Sequence, residues 1–102
     1  MVLPALDLAG FSKSLEEVTD VELDDEGLQR LWRHYEELCR WSPRLSLIGR
    51  GTVDDVISRH YCESLAALPL LNHGLRVVDL GSGAGFPGMV LAAARPDLKV
   101  WL

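Results

Sequence analysis

The sequence predicts an α/β protein in which a helical N-terminal region leads into one strand–helix–strand unit. Three observations predict it. Apolar residues recur at three-and-four spacing over 28–39, the period of one helix face. The run Val77, Val78 and Leu80 is rich in β-branched residues and stops at Gly81, as a buried parallel strand does before a tight turn. A second strand-like run at 99–102 follows a glycine turn and an alanine-rich helix pattern, which completes a βαβ unit.

The 102 residues, 48% hydrophobic and 25% charged with a net charge of −5, have ordinary globular composition and the length of one domain. A chain of this size buries roughly 60–70% of its unfolded surface, enough for one modest core. No run approaches the ~18–20 apolar residues of a membrane span. The start, MVLPALDLAGF, has no basic segment and carries Asp7, unlike a secretory signal, so the cytoplasm is the expected compartment. Cys39 and Cys62 stand alone, without a second pair, which predicts free thiols and no metal site.

Charge divides the chain. Residues 1–27 hold eight carboxylates against Lys13, whereas residues 28–102 hold nine Arg and Lys against seven Asp and Glu. Acidity belongs to the N-terminal part, and the whole chain is no basic nucleic-acid clamp. Arginines 30, 33, 40, 44, 50 and 59 form either a local positive surface or a solvated helix face.

Taken in order, residues 1–11 show no period and read as an arm. Ser14-Leu-Glu-Glu17 fits a capping box for a short helix. Asp24 is the expected N-cap of the main helix, whose apolar face is Leu28, Leu31, Trp32, Tyr35, Leu38 and Cys39 and which Pro43 ends. Gly49-Arg-Gly51 reads as a loop. Thr52 is placed to cap a further helix, with Asp54 and Asp55 in its first turn and Val53, Val56 and Ile57 on its apolar face. Leu65, Leu68 and Leu71 continue that stripe to Asn72-His73-Gly74. Helices thus occupy most of 12–71. Pro87 suits the first turn of the helix that runs to Pro96. This gives an acidic arm with a short helix at 1–23, a helical subdomain at 24–74 and the βαβ unit at 75–102.

The chemistry is concentrated in the segment from Asp79 to Gly88. Glycines at 81, 83 and 85 let the backbone turn sharply and bring N–H groups close to a ligand. The following helix aims its positive end at the same place, which favours an anion. Gly83-Ala-Gly-Phe-Pro-Gly88 has the spacing of a dinucleotide fingerprint, but it begins three residues past Leu80, and counting from Gly81 the sixth residue is Phe86. Asp79 at the strand end needs a partner, and an ammonium group supplies one. S-adenosylmethionine carries an ammonium and a carboxylate on one arm, so the combination favours a methyl donor over a pyrophosphate.

Asp79-Leu-Gly-Ser-Gly-Ala-Gly-Phe-Pro-Gly88 closely resembles the first motif of the bacterial 16S ribosomal RNA guanine-N7 methyltransferases, the glucose-inhibited division protein B family. Arg59-His60-Tyr-Cys-Glu63-Ser64-Leu65 is similar to the family's Arg-His-x-x-Asp/Glu-Ser segment. Trp41-Ser-Pro-Arg-Leu-Ser-Leu47 is similar to its Trp-Asn-x-x-x-Asn-Leu, with Ser42 and Ser46 in place of asparagine. The resemblance covers roughly residues 24–102. It implies a class I, Rossmann-like methyltransferase sheet of which this chain carries the first βαβ unit, truncated at Leu102. It implies S-adenosylmethionine as cofactor and 16S ribosomal RNA or the small ribosomal subunit as partner. Gly81 and Phe86 would contact the donor, the aromatic near the adenosine, with Ser82, Gly83, Ala84 and Gly85 completing a cradle beside Asp79.

Guanine N7 has a free lone pair, so the chemistry needs alignment rather than a base, and no catalytic residue is assigned. His60 is either a general base or a hydrogen-bonded structural residue, and Arg59 and Glu63 either serve the site or pair along the helix. The acid that receives ribose hydroxyls at the end of a second strand lies past Leu102. The chain alone is therefore expected to bind the donor weakly without turnover, and its open sheet edge to invite self-association. The alternative is a non-catalytic interaction module with a remnant donor motif.

Overall fold

In the computed structural model, which describes residues 2–49, 51 and 55–102, Asp7 starts the first helix. Its carboxylate accepts the Gly10 N–H at 2.7 Å, satisfying one of the amides a helix start leaves open. The helix, α1, spans Leu8–Val18. The expected box at Ser14 and Glu17 therefore lies inside a helix that has already begun. Nor do the described residues 2–11 stand off as an arm: Leu3, Phe11 and Leu15 are buried, and the Tyr35 hydroxyl donates to the Pro4 carbonyl at 2.5 Å. The physical reason is spacing. Phe11 and Leu15 fall one turn apart on one face, with Leu8 a turn before them, a period that straddles the supposed boundary.

The second helix, α2, spans Asp25–Trp41 and is capped as its sequence predicts, Asp24 accepting from Gly27 N–H at 2.7 Å. Asp25 and Glu26 sit in the first turn and Arg40 in the last, each sign facing the opposite end of the backbone dipole. Leu31, Tyr35 and Leu38 are buried, while Leu28, Trp32 and Cys39 are partly buried along the same side. Ser42 follows the helix and donates its hydroxyl to the Leu38 carbonyl at 2.5 Å. The proposed cap at Thr52, with Val53 and Asp54, and Arg50 lie outside the described residues.

From Val56 the chain is helical again, but wound differently from a plain α-helix. A π-helical segment, Ile57–Cys62, passes into one α-turn, α3 at Glu63–Leu65, and then a 3₁₀ turn, Leu68–Leu70. Val56, Tyr61, Cys62, Leu65 and Leu68 are buried. At the centre of the core the rings of Phe11, Tyr35 and Tyr61 meet, with centroids 5.2 Å apart for Phe11–Tyr35 and 5.3 Å, edge to face, for Phe11–Tyr61.

The strands are β1, Arg76–Val78, and β2, Lys99–Trp101, paired parallel with Val77 opposite Val100. Between them α4, Gly88–Ala94, packs against α2, α3 and β2. Pro87 stands just before its first turn rather than in it. The sheet is covered on one side only: Val77 and Val100 are half-buried, whereas Val78, Leu80 and Trp101 are exposed. The β-branched strand is thus half-buried, with α4 packed against the sheet. Asp97 ties the turns that lead into the two strands together. It takes two hydrogen bonds from Arg95, at 2.7 and 2.8 Å, and one from Gly74 N–H at 2.8 Å.

Because α1 belongs to the core, Phe11→Ala is expected to cost about 3–5 kcal/mol of stability. Lys13→Ala, on the exposed face of the same helix, is expected to stay within about 0.5 kcal/mol of the parent. Urea denaturation of the two variants checks this, and equal stability would return residues 1–11 to an arm.

Candidate functional site

The turn between β1 and α4 is built from glycine backbone and closed by short hydrogen bonds. Gly81, Gly83 and Gly85 take φ of 68°, 52° and 97°, a region side chains disfavour. Gly85 N–H donates to the Ser82 carbonyl at 2.8 Å, and Met89 N–H to the Gly85 carbonyl at 2.8 Å. Two kinds of glycine are present. A Cβ on Gly85 would lie 2.7 Å from Met89 Cγ and 3.2 Å from His34 Nε2, so its missing side chain lets the turn pack on the protein. A Cβ on Gly81 or Gly83 would meet nothing within 4 Å. These two leave backbone bare toward open space.

Asp79 sits at the end of β1, half-buried, and its Oδ2 accepts the Gly88 N–H at 2.8 Å. The sequence leaves the first amide of α4 for a ligand; the structure gives it to Asp79. The strand-end acid is thereby held in one orientation beside the turn. Ser82 is half-buried and Ala84 packs against the core.

Phe86 turns back into the helical region. Its ring lies 5.2 Å from His34 and 5.0 Å from Tyr61, both edge to face, and 5.0 Å from His60 at a tilt of 34°. It is partly buried, and with Pro87 it walls an open cleft of about 280 Å³ completed by Arg59, His60, Glu63 and Ser64. Two sequence segments singled out separately thus face each other across one cleft. The third also arrives at the turn: Trp41, Leu45 and Leu47, with His34, Glu37, Leu38 and Ala84, line an apolar cleft of about 470 Å³.

His34 is the residue that sequence reasoning missed. Its Nε2 lies 2.7 Å from the Ala84 carbonyl and its Nδ1 2.6 Å from the Tyr61 hydroxyl. A carbonyl only accepts, so Nε2 carries the proton, and Nδ1 accepts from Tyr61 in the neutral ring. Burial lowers the His34 pKa, outweighing the carbonyl bond that raises it. Burial also lowers that of His60, where nearby Glu63 acts in the opposite sense and Arg59 adds to the fall. The available signal was position: 34 stands three residues after Leu31 and four before Leu38, both buried, so a polar side chain there enters the core edge.

The arginines divide. Arg30 donates its Nε–H to the Ala93 carbonyl at 2.7 Å, clamping α2 to the end of α4. Arg33, Arg40, Arg44 and Arg59 are exposed, and the Arg40 guanidinium stands 5.5 Å from the Trp41 ring centre. Both cysteines are free, and burial pushes both thiols up. Among the described residues, no three His, Cys, Asp or Glu side chains gather to hold a metal ion, and no helix is long and apolar enough to cross a membrane.

Comparison with known proteins decides the family. Residues 27–102 match the model of GidB, rRNA small subunit methyltransferase G. The chain belongs to this family. The matched stretch runs from α2 through β2 and takes in all three segments that meet around the turn. Proteins named Ribosomal RNA small subunit methyltransferase G from Desulfotalea psychrophila and Paramagnetospirillum magneticum are each 45% identical to it, over 83 and 87 residues. One of the same name from Rhodospirillum centenum is 52% identical over 68 residues. These alignments cover 80%, 83% and 66% of this chain and 38%, 42% and 32% of the relatives. The GidB-family chain therefore spans between 32% and 42% of the length of the curated proteins it matches.

The two depressed histidines set a pH dependence whose sign is fixed. Below their ordinary value of 6.5 the unfolded chain binds protons that the folded one resists, so stability falls as pH falls through that value. Asp97, held far below its ordinary 3.8 first by its hydrogen bonds from Arg95, loses its contribution only in stronger acid. The melting temperature is expected to decline between pH 7 and pH 5, and the decline to be shallower in His34→Gln. Melting curves followed by circular dichroism check both, and a slope identical in parent and variant would exclude His34 as its source.

Proposed function

We propose that the protein is an S-adenosylmethionine-dependent methyltransferase acting on guanine N7 of 16S ribosomal RNA, in the small ribosomal subunit or its RNA, in the cytoplasm. The observation that carries the reading is the turn itself. Bare backbone at Gly81 and Gly83 lies beside a fixed carboxylate, in a chain of the rRNA small subunit methyltransferase G family. The strand–helix–strand unit at 75–102 then reads as the first of a Rossmann-like sheet, with 24–74 as the helical subdomain against it and 1–23 joined to its core.

The residues fit such a donor. Asp79 pairs with its ammonium, and Gly81, Ser82, Gly83, Ala84 and Gly85 form the cradle whose open side admits the methionyl arm. When bound, S-adenosylmethionine supplies a methyl group on a positively charged sulfur, open to attack by a lone pair. Guanine N7 presents such a pair without losing a proton first, so the protein's share is placement and exclusion of water. Phe86 is the aromatic wall against which the adenosine part packs, itself braced by three rings. The exposed Arg33, Arg40, Arg44 and Arg59 suit a phosphate backbone, which rewards positive charge without regard to sequence.

Isothermal titration of the native polypeptide carrying this sequence is expected to show binding of S-adenosylmethionine and none of NAD. A labelled methyl group is expected to appear in 16S RNA of small subunits. Gly81→Ala is expected to weaken donor binding by about tenfold or more while costing only about 1 kcal/mol of stability, because its Cβ fills the cradle and touches nothing of the protein. Binding of NAD instead, or unaltered donor affinity in that variant, would overturn the assignment of the turn.

A further inference from the structure

Three glycines at positive φ within five residues give the turn more conformational freedom than side-chain-bearing residues would. An anion or ammonium site made of such backbone is useful only if something outside the turn holds it still. The peptide group is rigid and planar, with its carbonyl and the next N–H pointing opposite ways. Fixing the Ala84 carbonyl therefore also fixes the Gly85 N–H. That N–H closes the four-residue turn by donating to Ser82 at 2.8 Å. The group holding Ala84 is His34 Nε2, fifty residues earlier, on α2.

We infer that His34 is a positioning residue for the glycine turn: with Tyr61 setting its tautomer, it pins the Ala84–Gly85 peptide and so presents Ser82 and Gly83 to the ligand in one conformation. Four contacts support this. The Tyr61 hydroxyl engages Nδ1 at 2.6 Å, which leaves the proton on Nε2 where the carbonyl needs it. The His34 ring is braced edge to face by Tyr61 at 5.6 Å and by Phe86 at 5.2 Å. The ring also lies where a Cβ on Gly85 would meet it at 3.2 Å, so the bare face of Gly85 is what lets the imidazole reach the turn. Tyr61 is itself buried against Phe11 and Tyr35, which links the pin to the centre of the core.

The inference rests on the donor reading for its functional meaning, but the pinning is measurable without any ligand. Hydrogen exchange at the Gly85 and Met89 amides, in the native polypeptide, is compared for the parent, His34→Ala and His34→Gln. The glutamine amide reaches the place of Nε2 and donates again. Exchange at those two amides is expected to rise about tenfold in His34→Ala, the factor that one lost hydrogen bond carries. It is expected to return to within about twofold in His34→Gln, and protection in α1 is expected to stay at the parent level. Should His34→Ala unfold, Tyr61→Phe provides the second route: it removes the partner of Nδ1 while keeping the ring, and is expected to loosen the same two amides. Uniform loss of protection across the molecule, or unchanged exchange at Gly85 and Met89, would overturn the inference. Titration with S-adenosylmethionine separates the two readings. Affinity lost in His34→Ala and regained in His34→Gln supports both, and equal affinity in all three refutes the role of His34. If the parent takes up no donor, the assignment of the turn fails and the exchange data alone decide the pin.

Discussion

A neutral imidazole held between a tyrosine hydroxyl and a backbone carbonyl joins the two halves of this molecule. The helical half has ordinary means of being rigid: capped helices, buried rings, a face at constant spacing. The glycine turn has none of these, since its glycines lack the side chains with which a segment packs itself down. Rigidity therefore has to be imported. It arrives through His34 on the carbonyl side of Ala84, through Asp79 on the N–H side of Gly88, and through Phe86 set among three rings. Each of the three leaves Gly81 and Gly83 uncovered, so the bracing and the bare backbone lie on different sides of one short loop.

How much of this was legible in the sequence depended on how local the cause was. The cap of α2 and its apolar stripe were legible because both are decided within a few residues. The cap of α1 uses the same device, an Asp accepting from the N–H of a glycine three positions on, and was legible in principle. Against it stand the lack of a period over residues 1–11, to which Pro4 and Gly10 contribute, and the competing start that Ser14 and Glu17 offer. In both helices the glycine is the cap's partner rather than a breaker: a Cβ at Gly10 or Gly27 would stand 3.1 or 2.9 Å from the capping carboxylate. A glycine near a helix start thus carries two opposite meanings, and only the acid three residues earlier tells them apart.

The site shows the complementary limit. Strand, glycine turn and helix are written consecutively from Asp79 to Gly88, so their order was legible at once. What holds the turn was not, because its partners come from α2 and from the segment after Val56, and no periodicity announces a contact fifty residues long. The winding after Val56 was equally closed to inspection: an apolar stripe through Leu65 and Leu68 predicts helix, and the structure places a π-helical segment before it, in which Tyr61 packs on Phe11 and Tyr35. The extent of strand burial is not legible either, since β-branched composition reports affinity for a pleated surface and is silent on how many layers cover it.

The position of Asp79 also changes how charge in the turn is to be read. A helix start attracts anions because its first amides lack partners, and from sequence alone that attraction is assigned to a ligand. Here the first amide of a seven-residue helix, α4, is already satisfied by the protein's own carboxylate, so the helix orients an acid instead of waiting for one. This single bond fixes the direction in which the acid faces. A fixed carboxylate beside uncovered glycine backbone is complementary to a positive group flanked by hydrogen-bond acceptors, whereas a pyrophosphate would bring two negative charges up to Asp79. The proposed donor reading thus leans on the orientation of one side chain, which the spacing of glycines by itself does not supply.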